Sequence, residues 1–136
     1  MAGPFMHVKR VGKFRSQAEA NVAKRLKQAG VRGDYETRRI VYVVPESEHT
    51  YTPDFWLPSG HPLEVKGRFL PTDRKKHLYI KEQHPQLGVR FAFTNPRQKL
   101  TSGGKQTYSD WCNKHGFPWC KTTDIPDEWL NKETQR

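Results

Sequence analysis

Pro53-Asp54 is followed ten residues later by Glu64-Val65-Lys66, a set of polar side chains whose types and spacing could do chemistry. Positions 64 and 66 share one face of an extended strand, while Val65 faces the opposite layer. Between the two groups, Pro58-Ser59-Gly60-His61-Pro62 is a turn signal centred on Ser59. Asp54 and Glu64 are equidistant from that centre, so a hairpin opposes them on one face with Cβ atoms ~5 Å apart. Two carboxylates so placed repel unless a cation joins them, and a lysine two residues along cannot neutralise both and stay free for other work. A divalent metal resolves the conflict. Mg²⁺ takes a few carboxylates plus waters and phosphate oxygens, which leaves it free to activate water against a phosphodiester. Lys66 would hold the attacking water and meet negative charge developing on the phosphoryl group. The predicted chemistry is hydrolysis of nucleic acid with one or two Mg²⁺ ions per site, Mn²⁺ substituting, and no organic cofactor. The rival reading of the same residues is an exposed hairpin with scattered charges.

The elements that must position these groups are legible in the surrounding pattern. Residues 51–57 and 63–67 read as the two strands of the hairpin. Upstream, Ser16-Gln17-Ala18-Glu19 has capping-box spacing, followed by Val22, Leu26 and Ala29 on one helical face and by Gly30 as a stop. Residues 35–44 are rich in β-branched and aromatic side chains and read as a strand ending at Pro45, with a polar turn over 46–49. A helix is expected from Thr72 or Asp73 to about residue 84, anchored by Leu78 and carrying Arg74, Lys75, Lys76 and Lys81. Residues 89–93 read as a strand, 108–115 as a helix closed by Gly116, and 125–130 as a helical turn with Pro126 at its first position. The class is α/β. Trp111, Trp119 and Trp129 read as core residues, and Cys112, His115 and Cys120 lack a fourth ligand for zinc.

Composition narrows the partners. The chain has 136 residues, which fits one domain, and Lys plus Arg outnumber Asp plus Glu by 24 to 14. That net charge of +10 points to a polyanion, against the plainer reading of a merely soluble basic surface. The excess is uneven, since residues 1–39 hold ten basic and three acidic side chains. Residues 1–15 show no strand or helix period and read as a flexible basic arm, with Lys9, Arg10, Lys13 and Arg15 as candidate DNA contacts. Lys75 and Lys76 are further candidates, as are His49 and His77. No apolar run approaches the length of a membrane span, and the first residues carry no signal-peptide pattern, so a cytoplasmic protein with reduced thiols is expected. Leu, Ile, Val and Phe supply only 27 of the 136 residues, so the core should lean on aromatics and borrow apolar surface from a second copy.

The Asp54, Glu64 and Lys66 arrangement resembles the PD-(D/E)xK nuclease superfamily, whose motif lies on adjacent strands of a small mixed sheet flanked by helices. A closer resemblance rests on Val11-Gly12-Lys13-Phe14-Arg15-Ser16, His49-Thr50-Tyr51-Thr52-Pro53-Asp54-Phe55, Asp73-Arg74-Lys75-Lys76-His77-Leu78 and Glu82-Gln83-His84-Pro85. With Lys114-His115-Gly116 and Ile125-Pro126-Asp127-Glu128-Trp129, these runs make residues 9–130 similar to the endonuclease I family of T-seven-like bacteriophages. The resemblance implies Mg²⁺-dependent enzymes that bind four-way (Holliday) junctions by shape and make paired nicks. It implies Asp54, Glu64 and Glu19 as metal ligands, with Lys66 as the catalytic lysine. It also implies an intertwined homodimer in which residues 40–49 cross between subunits, each nuclease domain spanning residues 16–136 and each site taking Glu19 from the other chain. Two alternatives stay open: a related nuclease that cuts linear duplex, and a basic DNA-binding module without catalysis.

Overall fold

The computed structural model describes residues 13–31, 35–36, 38–44 and 47–131. Helix α1 (Gln17–Gln28) begins where expected, with Ser16 Oγ accepting from Glu19 N at 3.0 Å. It buries Val22 and Leu26, while Ala29 ends the helix and Gly30 takes the left-handed conformation at φ 75°. Strands β1 (Ile40–Val44) and β2 (Ser47–Tyr51) form a separate antiparallel pair in which Tyr42 faces His49 and Ile40 faces Tyr51. Ser47, Glu48 and His49 are therefore strand residues and not the polar turn that their composition suggests. Their polarity reflects exposure of the ribbon, not an absence of pairing.

The main sheet is mixed and four-stranded, in the order β3 (Phe55–Trp56), β4 (Pro62–Lys66), β5 (Arg90–Phe93), β6 (Trp119–Lys121). Strands β3 and β4 are antiparallel, whereas β5 runs parallel to both β4 and β6. The expected hairpin register holds, because Phe55 pairs with Leu63 and Trp56 with Pro62. Gly60 permits the turn by adopting φ 91°. Helix α2 (Pro71–Gln83) links β4 to the parallel β5, and α3 (Tyr108–His115) starts on Thr107 and stops at left-handed Gly116. The last helical turn, α4, is Asp127–Leu130, with Pro126 as its cap and outside the helix.

Helices flank the sheet over two apolar clusters. One gathers Val22 and Leu26 of α1, Leu63 and Val65 of β4, Ala92, and Trp129 and Leu130 of α4. The other is largely aromatic, with Phe69 lying 5.0 Å from both Phe91 and Trp111 between ring centroids. Alternation along β4 explains the division: Leu63 and Val65 enter the first cluster, so Glu64 and Lys66 face the other way, in register with Phe91 and Phe93. On α2 the buried residues are His77 and Ile80, while Leu78, the anchor expected from sequence, is half-buried.

Candidate active site

Asp54 and Glu64 come together as the hairpin arithmetic requires. The main chain then locks them: Asp54 N donates to Glu64 Oε2 at 3.1 Å, and Val65 N donates to Asp54 Oδ2 at 2.9 Å. Tyr51, wholly buried at the end of β2, donates its hydroxyl to the same Glu64 oxygen at 2.9 Å. Lys66 Nζ stands 3.9 Å from Glu64 Oε1 and 3.4 Å from Asp73 Oδ1. Glu64 is only 4% exposed, so its charge is held by this network and not by bulk water.

A second carboxylate cluster overlaps the first at Asp54. Glu19, Glu36 and Asp54 present oxygens that all lie within 4.8 Å of one another. Glu19 is fixed by Arg15 N at 3.1 Å and the Tyr35 hydroxyl at 2.5 Å, both donating to its Oε1. Its carboxylate thus accepts from the main chain just before the helix and from a tyrosine outside it, so capping is only part of its role. Glu36 adopts φ 51°, a left-handed backbone unusual for a glutamate, and its N–H donates to Asp54 O at 3.1 Å. The side-chain signal for Glu36 is absent from the sequence pattern, because nothing in local spacing brings it to Asp54.

These groups surround a cleft of about 460 Å³, with Glu36, Asp54 and Glu64 on its walls alongside Arg15, Arg39, Lys66 and Lys76. Burial and the neighbouring Glu64 and Glu19 charges push the Asp54 carboxyl well above its ordinary range. Burial also raises Glu64, against the pull of Lys66 and Lys76. Lys66 is disfavoured as an ammonium by burial, yet Glu64, Asp73 and Asp54 outweigh that and hold its pKa above the usual lysine value. His77 lies 3.9 Å from Glu64, but burial and the nearby Lys66 and Lys76 lower its pKa, so the imidazole stays neutral and forms no ion pair.

The other candidates divide. Lys9 and Arg10 lie outside the described residues, as does most of the arm. Arg15 and Lys76 line the cleft, Lys13 and Lys75 are exposed, and Lys76 Nζ also sits 5.1 Å over the Tyr51 ring. His77 is fully buried beneath Glu64 and cannot touch DNA from the surface, which corrects the sequence expectation. His49 is exposed on β2. Trp111 and Trp129 are core residues, whereas Trp119 is half-buried and donates to Asn113. Cys112 and Cys120 are free and buried, with burial raising each thiol to about 12.

Sequence comparison decides the family. The family model for phage endonuclease I matches residues 1–136. The chain belongs to the phage endonuclease I family. It is 45% identical to Endonuclease I of Escherichia phage T7 over 125 residues, covering 92% of this chain and 83% of that relative. It is 52% identical to Endodeoxyribonuclease 1 of Enterobacteria phage T3 over 104 residues, covering 76% of this chain and 68% of the relative. This member of the phage endonuclease I family is a nuclease, and the reading as a non-catalytic basic module falls with that finding. In this endonuclease no helix among the described residues is long and apolar enough to cross a membrane.

Proposed function

We propose that this nuclease binds four-way and branched DNA junctions and hydrolyses phosphodiesters with Mg²⁺, making paired nicks as a homodimer in the host-cell cytoplasm. The observation that carries the proposal is the pair of buried carboxylates, Asp54 and Glu64, oriented by main-chain N–H groups beside Lys66. The donor set fits a divalent cation: it consists of hard oxygens, and burial together with the Glu64 and Glu19 charges holds Asp54 above its ordinary range, where a bound cation would relieve it. Asp54 and Glu64 would hold one ion, and Glu19 with Asp54 a second, to which Glu36 adds a third carboxylate. Bound there, the metal supplies activated water and neutralises charge on the phosphoryl group.

The chain's own groups do the remaining work. Val65 N–H fixes the Asp54 carboxylate, while Tyr51 and Asp54 N–H turn Glu64 towards the cleft. Lys66 meets the developing phosphoryl charge. Arg15, Arg39 and Lys76 on the cleft wall attract the flanking phosphates, and Lys9, Arg10, Lys13 and Lys75 are the further DNA contacts of this reading. Residues 16–136 form the nuclease domain, preceded by the basic arm over 1–15. Glu19 and Asp54 meet here within one chain, and exchange of α1 across residues 40–49 would remake the same contact between two chains.

A labelled four-way junction offered together with linear duplex, with and without Mg²⁺, tests the substrate reading. Wild-type protein should cut the junction in preference, and only with the metal. Lys66→Ala should lose cleavage by a factor of about 10³ or more while retaining junction affinity, because its role lies in the transition state. Equal cutting of duplex would transfer the proposal to a linear-duplex nuclease. Full activity of Lys66→Ala would remove the site assignment.

A further inference from the structure

Lys66 is the last residue of β4 and carries its ammonium on a flexible four-carbon stem, so something has to hold that group in one place. Glu64 is a poor candidate for the task. It stands 3.9 Å away, and its other oxygen already accepts from Tyr51 and Asp54 N. Asp73 stands nearer, at 3.4 Å, and reaches Lys66 from the first turn of α2. The two oxygens of Asp73 have separate partners: Oδ1 faces the ammonium, and Oδ2 accepts from Leu70 N at 3.0 Å. A main-chain donor therefore anchors the carboxylate against the helix start, which leaves it little freedom to swing. Both members are largely shielded, with side chains 18% and 23% exposed, so the pair escapes most of the screening that weakens surface ion pairs.

We infer that Asp73 is a positioning residue of the nuclease, one that holds the Lys66 ammonium where hydrolysis requires it. This inference rests on the reading of Lys66 as the catalytic lysine. Asp73 is not among the residues that line the cleft, and its contact with the site runs through the Lys66 ammonium. The charge layout gives it a purpose. Without a rear carboxylate, the ammonium would be drawn forward into Glu64 and Asp54, where the pair would neutralise groups needed for a cation. With Asp73 behind it, Lys66 is pulled from both sides and kept between them.

The helix-cap role of Asp73 has to be separated from this one, since an acidic residue at the third position of a helix caps it in any case. Asp73→Asn does so. It keeps an acceptor for Leu70 N–H and removes the charge facing Lys66. Cleavage of a labelled junction in Mg²⁺ should slow by about 10–100-fold in Asp73→Asn, as expected for a misplacement on the order of 1 Å. Junction affinity, measured in Ca²⁺, should stay within about twofold, and Tm should stay within about 2 °C of the parent. Asp73→Ala should slow cleavage to the same extent and lose Tm in addition, because it also removes the cap. Wild-type cleavage by Asp73→Asn, beside an inactive Lys66→Ala, would overturn the inference and leave the nuclease site intact. A large drop in Tm in Asp73→Asn would make Asp73 a structural residue and overturn it equally. If Lys66→Ala itself cleaved normally, the site reading beneath the inference would be the part that failed.

Discussion

Asp54 is the residue on which both carboxylate clusters depend, and its strain has a measurable consequence. Buried beside Glu64, Glu19 and Glu36, with Lys66 as the opposing charge, its carboxyl ionises at a higher pH in the folded chain than in the unfolded one. Unfolded carboxyls ionise near pH ~4, so above that value the folded state binds more protons than the unfolded state. Stability of the metal-free protein therefore falls as pH rises from about 4 through the raised Asp54 value. Asp54→Asn should abolish cleavage yet raise metal-free Tm at pH 7, by about 4 °C for each kcal/mol of relieved repulsion. Thermal melts of both proteins from pH 4 to 8 in chelator give the answer. Mg²⁺ should raise the wild-type Tm at pH 7 more than at pH 5 and leave Asp54→Asn nearly unmoved. Identical melts at every pH would show that Asp54 carries no such strain.

Each element contributes through a different piece of local chemistry. The hairpin of β3 and β4 aligns Asp54 with Glu64 because Gly60 accepts the turn and the register follows from loop length. Helix α1 brings Glu19, and α2 brings Lys76 to the cleft wall, sets Asp73 against Lys66 and buries His77 beneath Glu64. The proposed contribution of the basic arm to DNA binding is its charge. Deleting residues 1–15 removes Lys9, Arg10, Lys13 and Arg15, so the slope of log affinity against log salt should flatten by up to about 3–4 units. Junction affinity should weaken with it, most at low salt. An unchanged slope would return the arm's cations to a role in solubility.

At the scale of the whole molecule, the question is which chain supplies Glu19 to a working site. The two exposed apolar side chains of β1, Val41 at 51% and Val43 at 47%, lie in the segment proposed to cross between subunits. A dimer mixed from Glu19→Ala and Lys66→Ala chains separates the arrangements. If α1 is exchanged, one site carries both lesions and the other carries none, so the mixed dimer nicks one strand of a supercoiled cruciform but makes no paired cut. If each site is built within one chain, both sites are damaged. No nicking should then appear from mixed dimers demonstrated in solution, and the exchange would be refuted while the nuclease stands.

Short-range spacing determined a good share of this protein by itself. The interval between Asp54 and Glu64, a turn centred on Ser59, and alternation along β4 were enough to place both carboxylates and Lys66 together, because hairpin register is a local property. Helix α3 was legible for the same reason, with Gly116 marking its end, while its cap on Thr107 emerged from the structure. Tertiary structure alone decided the rest. Tyr51, Asp73 and His77 reach Glu64 and Lys66 from β2 and α2, and Glu36 reaches Asp54 through a left-handed backbone that no propensity favours. Strand β6 is three residues long, and β2 is polar, so neither carries the apolar rhythm that marks a strand. The buried face of α2 fell on His77 and Ile80, not on Leu78, because the aromatic sheet surface around Phe91 selected the face that packs. Side chains that meet across elements are chosen by how those elements pack, and that packing minimises a sum over the whole chain that no single window of sequence contains.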